Sequence, residues 1–302
     1  MSQKGQRVVL SKIQGSLKDT LHESLNSLNL GNLKGEILVK PNVCMPEYLP
    51  GAVTNPSLLY NLITLLRDEA ERVTVVESDG YNYSCSWALR NTGIKKAAEE
   101  AGGRVINLSH EEVVQVNFKD SPVKRLFLPK ILLEADALVD MPVMKTHEFT
   151  TYGGAIKNLF GCLPNNRRIF LHPYLSEVLF RLLTLLKPEL TVMDATVAME
   201  GRGPTRGSPV KLDVILTGKN TLAVDVTATK IMKLDWRAVD HLKYIAQRTG
   251  FEENNLQIIG ASPSQISRSF VLPTADLPMR SQFKIFKYPW LTKLSFCSPK
   301  LV

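Results

Sequence analysis

Residues 140–172, DMPVMKTHEFTTYGGAIKNLFGCLPNNRRIFLH, decide how the rest of the chain is read. They carry Lys145, Lys157, His147, His172, the glycine pair Gly153 and Gly154, a third glycine at Gly161, and Arg167 and Arg168, directly behind the apolar run 137–139. Polar and titratable groups this dense after a strand are what the loop of an open α/β sheet carries, because backbone amides and helix N-termini point into the crevice outside the strand ends. A merely connecting loop is usually shorter. The ordinary alternative is a glycine-containing surface loop with solvated charges.

Working outward, each neighbouring apolar run also ends in polar residues. The run 37–39 ends in Lys40-Pro41-Asn42, the run 73–76 in Glu77 and Asp79, and the run 190–193 in Asp194. Pro41 is expected to end sheet pairing and aim Lys40 and Asn42 into a loop, where ammonium and amide meet an anion. Further strands are expected at 7–10, 105–108, 214–216 and 256–259. Helices are expected at 17–28, from Pro56, at 86–101, 175–186, 223–232 and 237–248, from apolar residues spaced three and four apart. Strands alternating with helices make the fold α/β, a mostly parallel sheet flanked by helices, with a β-rich insertion near 113–128. Parallel strands would bring these polar ends to one edge.

Residues 1–265 are expected to form the α/β body, either whole or as two lobes at about 1–140 and 141–265, and 266–302 a basic aromatic tail. A glycine-rich segment holding Arg202 and Arg206 between Gly201, Gly203 and Gly207 offers a cradle for phosphate or carboxylate. It is no Walker loop, since GxxxxGK[ST] is absent, and no GxGxxG follows a strand.

Composition narrows the class. The chain has 302 residues, 44% hydrophobic and 22% charged, and net charge +8. That is enough for a core without metal or disulfide support, and no run of 18 uncharged apolar residues would cross a bilayer. An N-terminus without an apolar signal core leads to the expectation of a cytoplasmic protein. The four cysteines show no CxxC spacing, so no intrinsic iron–sulfur cluster is expected. Residues 267–302 hold six Lys or Arg against Asp276 alone, so five of the eight net charges sit there and no nucleic-acid partner is expected. Within that tail, residues 283–296 mix eight apolar residues with three Lys, a composition that suits either packing on a subunit of the same protein or peripheral contact with an anionic membrane. Pro289 interrupts any single helix there.

Residues 36–261 resemble the conserved family catalogued as domain of unknown function 362. The matching pieces are Val39-Lys40-Pro41-Asn42, Thr54-Asn55-Pro56, Glu77-Ser78-Asp79-Gly80, Leu128-Pro129-Lys130, Lys145-Thr146-His147, the run from Gly154 to Gly161, Asp194, Met199-Glu200-Gly201 and Ala223-Val224-Asp225. Many members carry a ferredoxin segment, for which this chain lacks the cysteines. The spacing of His147 and Lys157 about a glycine pair is also similar to a loop of nickel-pincer lactate racemases. That likeness implies a catalytic His147, a cofactor anchored at Lys157 and a nickel-binding His172. Where those racemases carry a second catalytic histidine this chain has Asp79, Tyr81 and Asn82, which argues against symmetric two-histidine racemisation.

The candidate catalytic residues are therefore His147, Lys157, Asp79 and Asp194. Lys40, Asn42, Lys145, Gly153, Gly154, Arg202 and Arg206 are candidates for binding substrate or cofactor, and His147 and His172 for a divalent metal or a nickel-pincer-like nucleotide. Each has an ordinary reading too: a strand-end carboxylate is as often a helix cap. Two functions compete. One is a small-molecule enzyme that moves a proton or hydride on an anionic substrate, isomerase- or oxidoreductase-like. The other is a non-catalytic redox-accessory module that docks an anionic or iron–sulfur partner. Homo-oligomers are compatible with both.

Overall fold

A computed structural model describes residues 5–31 and 33–273. The strands are β1 (Arg7–Lys12), β2 (Glu36–Pro41), β3 (Arg72–Glu77), β4 (Arg104–Asn107), β5 (Val113–Asn117), β6 (Arg125–Pro129), β7 (Ala137–Met141), β8 (Val143–His147), β9 (Thr151–Gly153), β10 (Leu190–Arg202), β11 (Arg206–Gly218) and β12 (Gln257–Gly260). The helices are α1 (Leu17–Ser27), α2 (Pro56–Leu66), α3 (Cys85–Asn91), α4 (Ile94–Glu100), α5 (Ile131–Glu134), α6 (Ala155–Asn158), α7 (Leu175–Leu186), α8 (Thr221–Ile231) and α9 (Asp240–Thr249).

Among the described residues, ten strands join one mixed, mostly parallel sheet in the order β12-β1-β11-β10-β7-β2-β3-β4, with β8 beside β10 and β9 beside β8. From β2 the chain winds outward through β3 to β4, then returns to lay β7 against the other side of β2 and continues to β10. The winding direction reverses between β2 and β7, and the crevice beyond their C-terminal ends is where such sheets take ligands. Lys40 stands opposite Asp140 in that pairing. The remaining two strands, β5 and β6, form a separate antiparallel pair, which is the expected insertion.

Both faces of the sheet are covered, so the parallel strands read as continuous apolar runs. Ile37 and Val39 face α1 to α4 through Leu21, Leu59, Leu62, Leu89 and Ile94. Their alternate, Leu38, faces the other side, where Val178 and Leu182 of α7, Val226 of α8 and Leu242 of α9 pack. Helix α2 starts where Asn55 accepts the Ser57 amide ahead of Pro56, and its Leu58, Leu59, Leu62, Ile63 and Leu66 are buried. Residues 167–186 are apolar and long enough to cross a bilayer, but their α7 half is packed in this core: Val178, Leu179 and Leu182 are wholly buried.

Four local expectations are corrected. Pro41 does not end pairing, since it still aligns with Met141, and Lys40 stays inside the strand. The helix expected over 86–101 is two helices, broken at Gly93, whose φ of +77° suits glycine. Residues 194–209 are no open loop: β10 and β11 pair through Gly201↔Gly207 to Arg202↔Arg206, so the glycines sit in a long hairpin. Residues 143–153 contribute β8 and β9 rather than loop alone. The readings of the tail beyond Pro273 lie outside the described residues.

Candidate functional site

At the end of β2 the Lys40 ammonium lies 2.6 Å from Glu77 of β3, and both side chains are almost wholly buried, at 1% and 4% exposure. Glu77 also accepts the Ser78 and Val43 amides. Gly161 closes over this pair so tightly that a Cβ there would stand 2.9 Å from both the Lys40 Nζ and Glu77 Oε1, so any larger residue would push the two charges aside. The pair is the floor of the crevice, and its two charges cancel.

A line of amides leads from the floor to the wall. Asn158 donates to Asp140 Oδ1 at 2.8 Å, and its own oxygen accepts from Asn42 at 3.0 Å. The Asn42 oxygen in turn accepts a short hydrogen bond from Lys145. Lys145 also donates to the Ala52 carbonyl at 2.7 Å and to Cys44 Sγ at 3.4 Å. Burial pushes the Lys145 ammonium down and the Asp140 carboxyl well above the usual carboxylate range.

The short helix α6 carries Lys157 and Asn158 and is held from below by Asp225 of α8. Its carboxylate accepts the Ala155 amide at 2.7 Å, the Ile156 amide at 2.9 Å and the Tyr152 hydroxyl at 2.8 Å. Gly154 lies against these groups: a Cβ would fall 2.1 Å from the Tyr152 oxygen and 2.3 Å from Asp225 Oδ1. So anchored, Lys157 places its Nζ 4.6 Å from the centre of the Phe160 ring. Burial first, then the Arg168 and Lys145 charges, push its pKa down to about 7.

The two imidazoles differ. His147 Nδ1 accepts the Phe149 amide at 3.1 Å, so the neutral ring carries its proton on Nε2 and offers a donor. His172 Nδ1 must donate to the Ile169 carbonyl at 2.6 Å, which leaves the lone pair on Nε2. Burial and the Lys157 charge keep both rings neutral, His172 with a pKa of about 3 and His147 well below the usual range. Both pack on Phe149, with ring centres 5.6 and 5.8 Å away.

These groups line one cavity of about 260 Å³. Of the residues singled out in the sequence, Lys40, Asn42, Lys145, His147, Gly153, Gly154, Lys157 and His172 meet there. Asp79, Asp194, Arg202 and Arg206 do not line it. Asp79 is committed to the Cys85 amide, at the start of α3, and to Asn107. Asp194 accepts the Asn55 amide, at the start of α2, and both the amide and hydroxyl of Thr196. Strand-end carboxylates here act as caps, the ordinary alternative. Arg202 and Arg206 pair with Glu148 on the hairpin, at 2.9 and 3.6 Å.

Arg168, noted in the sequence only as part of the dense stretch, is a wall of the cavity. It donates to Ser78 Oγ and to the Leu163 and Asp79 carbonyls, at 2.7–2.8 Å. Asn158 and Asp225 were visible as matches to family motifs, but the bond between Asn158 and Asn42 and those from the Ala155 and Ile156 amides to Asp225 join residues far apart in the chain, which no local pattern encodes.

A buried ammonium costs stability, and at Lys157 that cost depends on pH. Its folded pKa of about 7 lies below the ordinary 10.5, so between those values the folded protein binds fewer protons and this site's penalty shrinks as pH rises. Below about pH 7 the penalty is complete. Lys157→Met should therefore be more stable than wild type at pH 6 by roughly 2 kcal/mol, a figure discounted for the partial exposure of the side chain. The gain should fade above about pH 9 in urea titrations at several pH values.

The chain is similar to proteins already known. A thylakoid-associated protein of Synechocystis sp. is 24% identical over 241 residues, covering 73% of this chain and 71% of that protein. Among solved structures, the lactate racemase apoprotein from Thermoanaerobacterium thermosaccharolyticum aligns with a TM-score of 0.45 and 13% identity. That alignment covers 73% of this chain and 56% of the racemase chain, so little more than half of the racemase is spanned. Residues 37–230, which include every cavity residue named above, match the family described as domain of unknown function (DUF362), and the chain belongs to that family.

Proposed function

We propose that the protein is a small-molecule enzyme that binds an anionic substrate over the ends of β2, β3 and β8 and moves a proton on it. The observation that carries this reading is the cavity's charge. Lys40 is neutralised by Glu77, but the hydrogen bonds given above for Lys145 and Arg168 go to carbonyl, amide, hydroxyl and thiol groups, and Lys157 lies on an aromatic ring. Among the described residues, the Lys145 and Arg168 cations, neither with a carboxylate of its own, favour a carboxylate or phosphate beside the Lys157 amine. Proton transfer is supported by the amine, which titrates near neutrality at Lys157, and by two neutral imidazoles of opposite tautomer, one a donor and one carrying a lone pair. The cytoplasm is the compartment proposed.

A metal shared by His147 and His172 does not fit these residues. Both rings pack on Phe149, His147 carries its proton on Nε2, and the described residues contain no group of three His, Cys, Asp or Glu that could hold an ion. A cofactor linked to the Lys157 amine is the competing reading, and the intact mass of the protein as purified tests it directly.

Calorimetric titration with oxalate and with inorganic phosphate tests the anion site. Oxalate should bind the wild type, and Arg168→Gln and Lys145→Met should each weaken it about tenfold, equivalent to about 1.4 kcal/mol. Exchange of a carbon-bound proton of small hydroxy and oxo acids into deuterated water, followed by NMR, separates an enzyme from a binding module. Wild-type protein that binds neither anion would sink the reading.

A further inference from the structure

Resting on that reading, we propose that Lys157 condenses with small 2-oxo acids to form an imine, with the acid's carboxylate held by Lys145 and Arg168. The geometry supplies each requirement. An attacking amine must be neutral and fixed, and α6 is fixed by the Asp225 cap beneath it. The charged and titratable groups that face Lys157 come from every side: Lys40 on β2, Lys145 and His147 on β8, Cys44 after β2, Arg168 and His172 ahead of α7, and His241 on α9. None of these is a carboxylate, and Glu77, the acid on the cavity wall, is held by Lys40. Like charge and burial together favour the free amine, which is how a lysine becomes a nucleophile.

A 2-oxo acid fits because its carboxylate adjoins its carbonyl. The two cations that depress the amine also anchor the anion beside it. The cavity of about 260 Å³ has room for an acid of a few carbons. The lone pair of Lys157 attacks C2 and forms the C–N bond while the carbonyl oxygen takes up a proton. The resulting carbinolamine loses its hydroxyl as water and its nitrogen proton, leaving C=N. Amine and oxo acid thus give imine and water, without oxidant or co-reactant. His147 and His172 both line the cavity, where neutral imidazoles serve to exchange those protons.

The test is reductive trapping on the full chain. Protein is incubated with pyruvate and sodium cyanoborohydride, with and without oxalate, and analysed by intact mass and peptide mapping. One reduced pyruvate per chain, mapped to Lys157, blocked by oxalate, absent from Lys157→Arg and Lys157→Met, and with a yield that rises through about pH 7, supports the proposal. Arg168→Gln should slow trapping about tenfold. Oxalate binding without a Lys157 adduct, an adduct spread over surface lysines that oxalate does not block, or a Lys157 already modified as purified overturns it. In the first of these outcomes the anion-binding reading survives. If oxalate also fails to bind, both readings fall.

Discussion

Glu77→Gln should destabilise the protein by about 3–5 kcal/mol, because it leaves the Lys40 ammonium with no opposite charge at a point of 1% exposure. A paired buried charge adds little to stability, but half of a broken pair is a severe defect. Lys40 would keep the Pro41 carbonyl at 2.8 Å and the new amide oxygen, neither of which carries a full negative charge. Lys40→Met should cost less than Glu77→Gln, since the Glu77 carboxylate keeps the Ser78 and Val43 amides. The double variant Lys40→Met/Glu77→Leu should recover part of the loss, with a coupling above about 1 kcal/mol. Urea unfolding of the four proteins measures this cycle. A Glu77→Gln protein within about 1 kcal/mol of wild type would show that the pair is not what holds the floor. Because Gly161 packs on both charges, the same variants should also disturb the 159–162 turn beneath Arg168 and weaken oxalate binding.

The fold was legible because each strand of the parallel half is an apolar run ended by polar residues, and because α2 and α7 carry unbroken apolar stripes between clear stops. The edge on which Lys40, Asn42, Lys145 and His147 meet follows from parallel strands, and parallel strands follow from the helices between them. What failed locally failed for identifiable reasons. Gly201, Gly203 and Gly207 read as an open loop because glycine weakens any strand signal, yet Arg202 and Arg206 pair across the hairpin tip. Gly93 lies inside a helical pattern that only its positive φ interrupts. Asp79 and Asp194 could not be told from catalytic carboxylates by position, because a helix cap and a general base occupy the same strand-end site. The tautomers of His147 and His172 depend on the backbone two and three residues away, a matter of turn geometry rather than residue type.

Asp225 lies outside the cavity wall, yet its removal should damage both stability and binding. Asp225→Ala deprives the Ala155 and Ile156 amides and the Tyr152 hydroxyl of a shared acceptor in a region with no exposure. Each buried donor left unsatisfied costs about 1–3 kcal/mol, and with three donors around one carboxylate a loss of about 4 kcal/mol is expected. Asp225→Asn should be intermediate, because its oxygen still accepts one bond while its NH₂ faces the remaining donors. Burial pushes the Asp225 carboxyl up to about 6, above its ordinary 3.8, so the folded protein takes up this proton first as pH falls. This carboxyl's contribution to stability is therefore greatest below about pH 4 and declines toward pH 6, a slope that Asp225→Asn should remove. The functional consequence follows from α6, four residues that carry both Lys157 and Asn158. With its first amides unsatisfied the helix loses its fixed position, and oxalate affinity should fall at least tenfold at a temperature where circular dichroism shows the rest of the protein folded. Unchanged oxalate affinity in folded Asp225→Asn would mean that Lys157 and Asn158 are held by the sheet and by Phe160 alone, and that the Asp225 cap is a feature of the core rather than of the site.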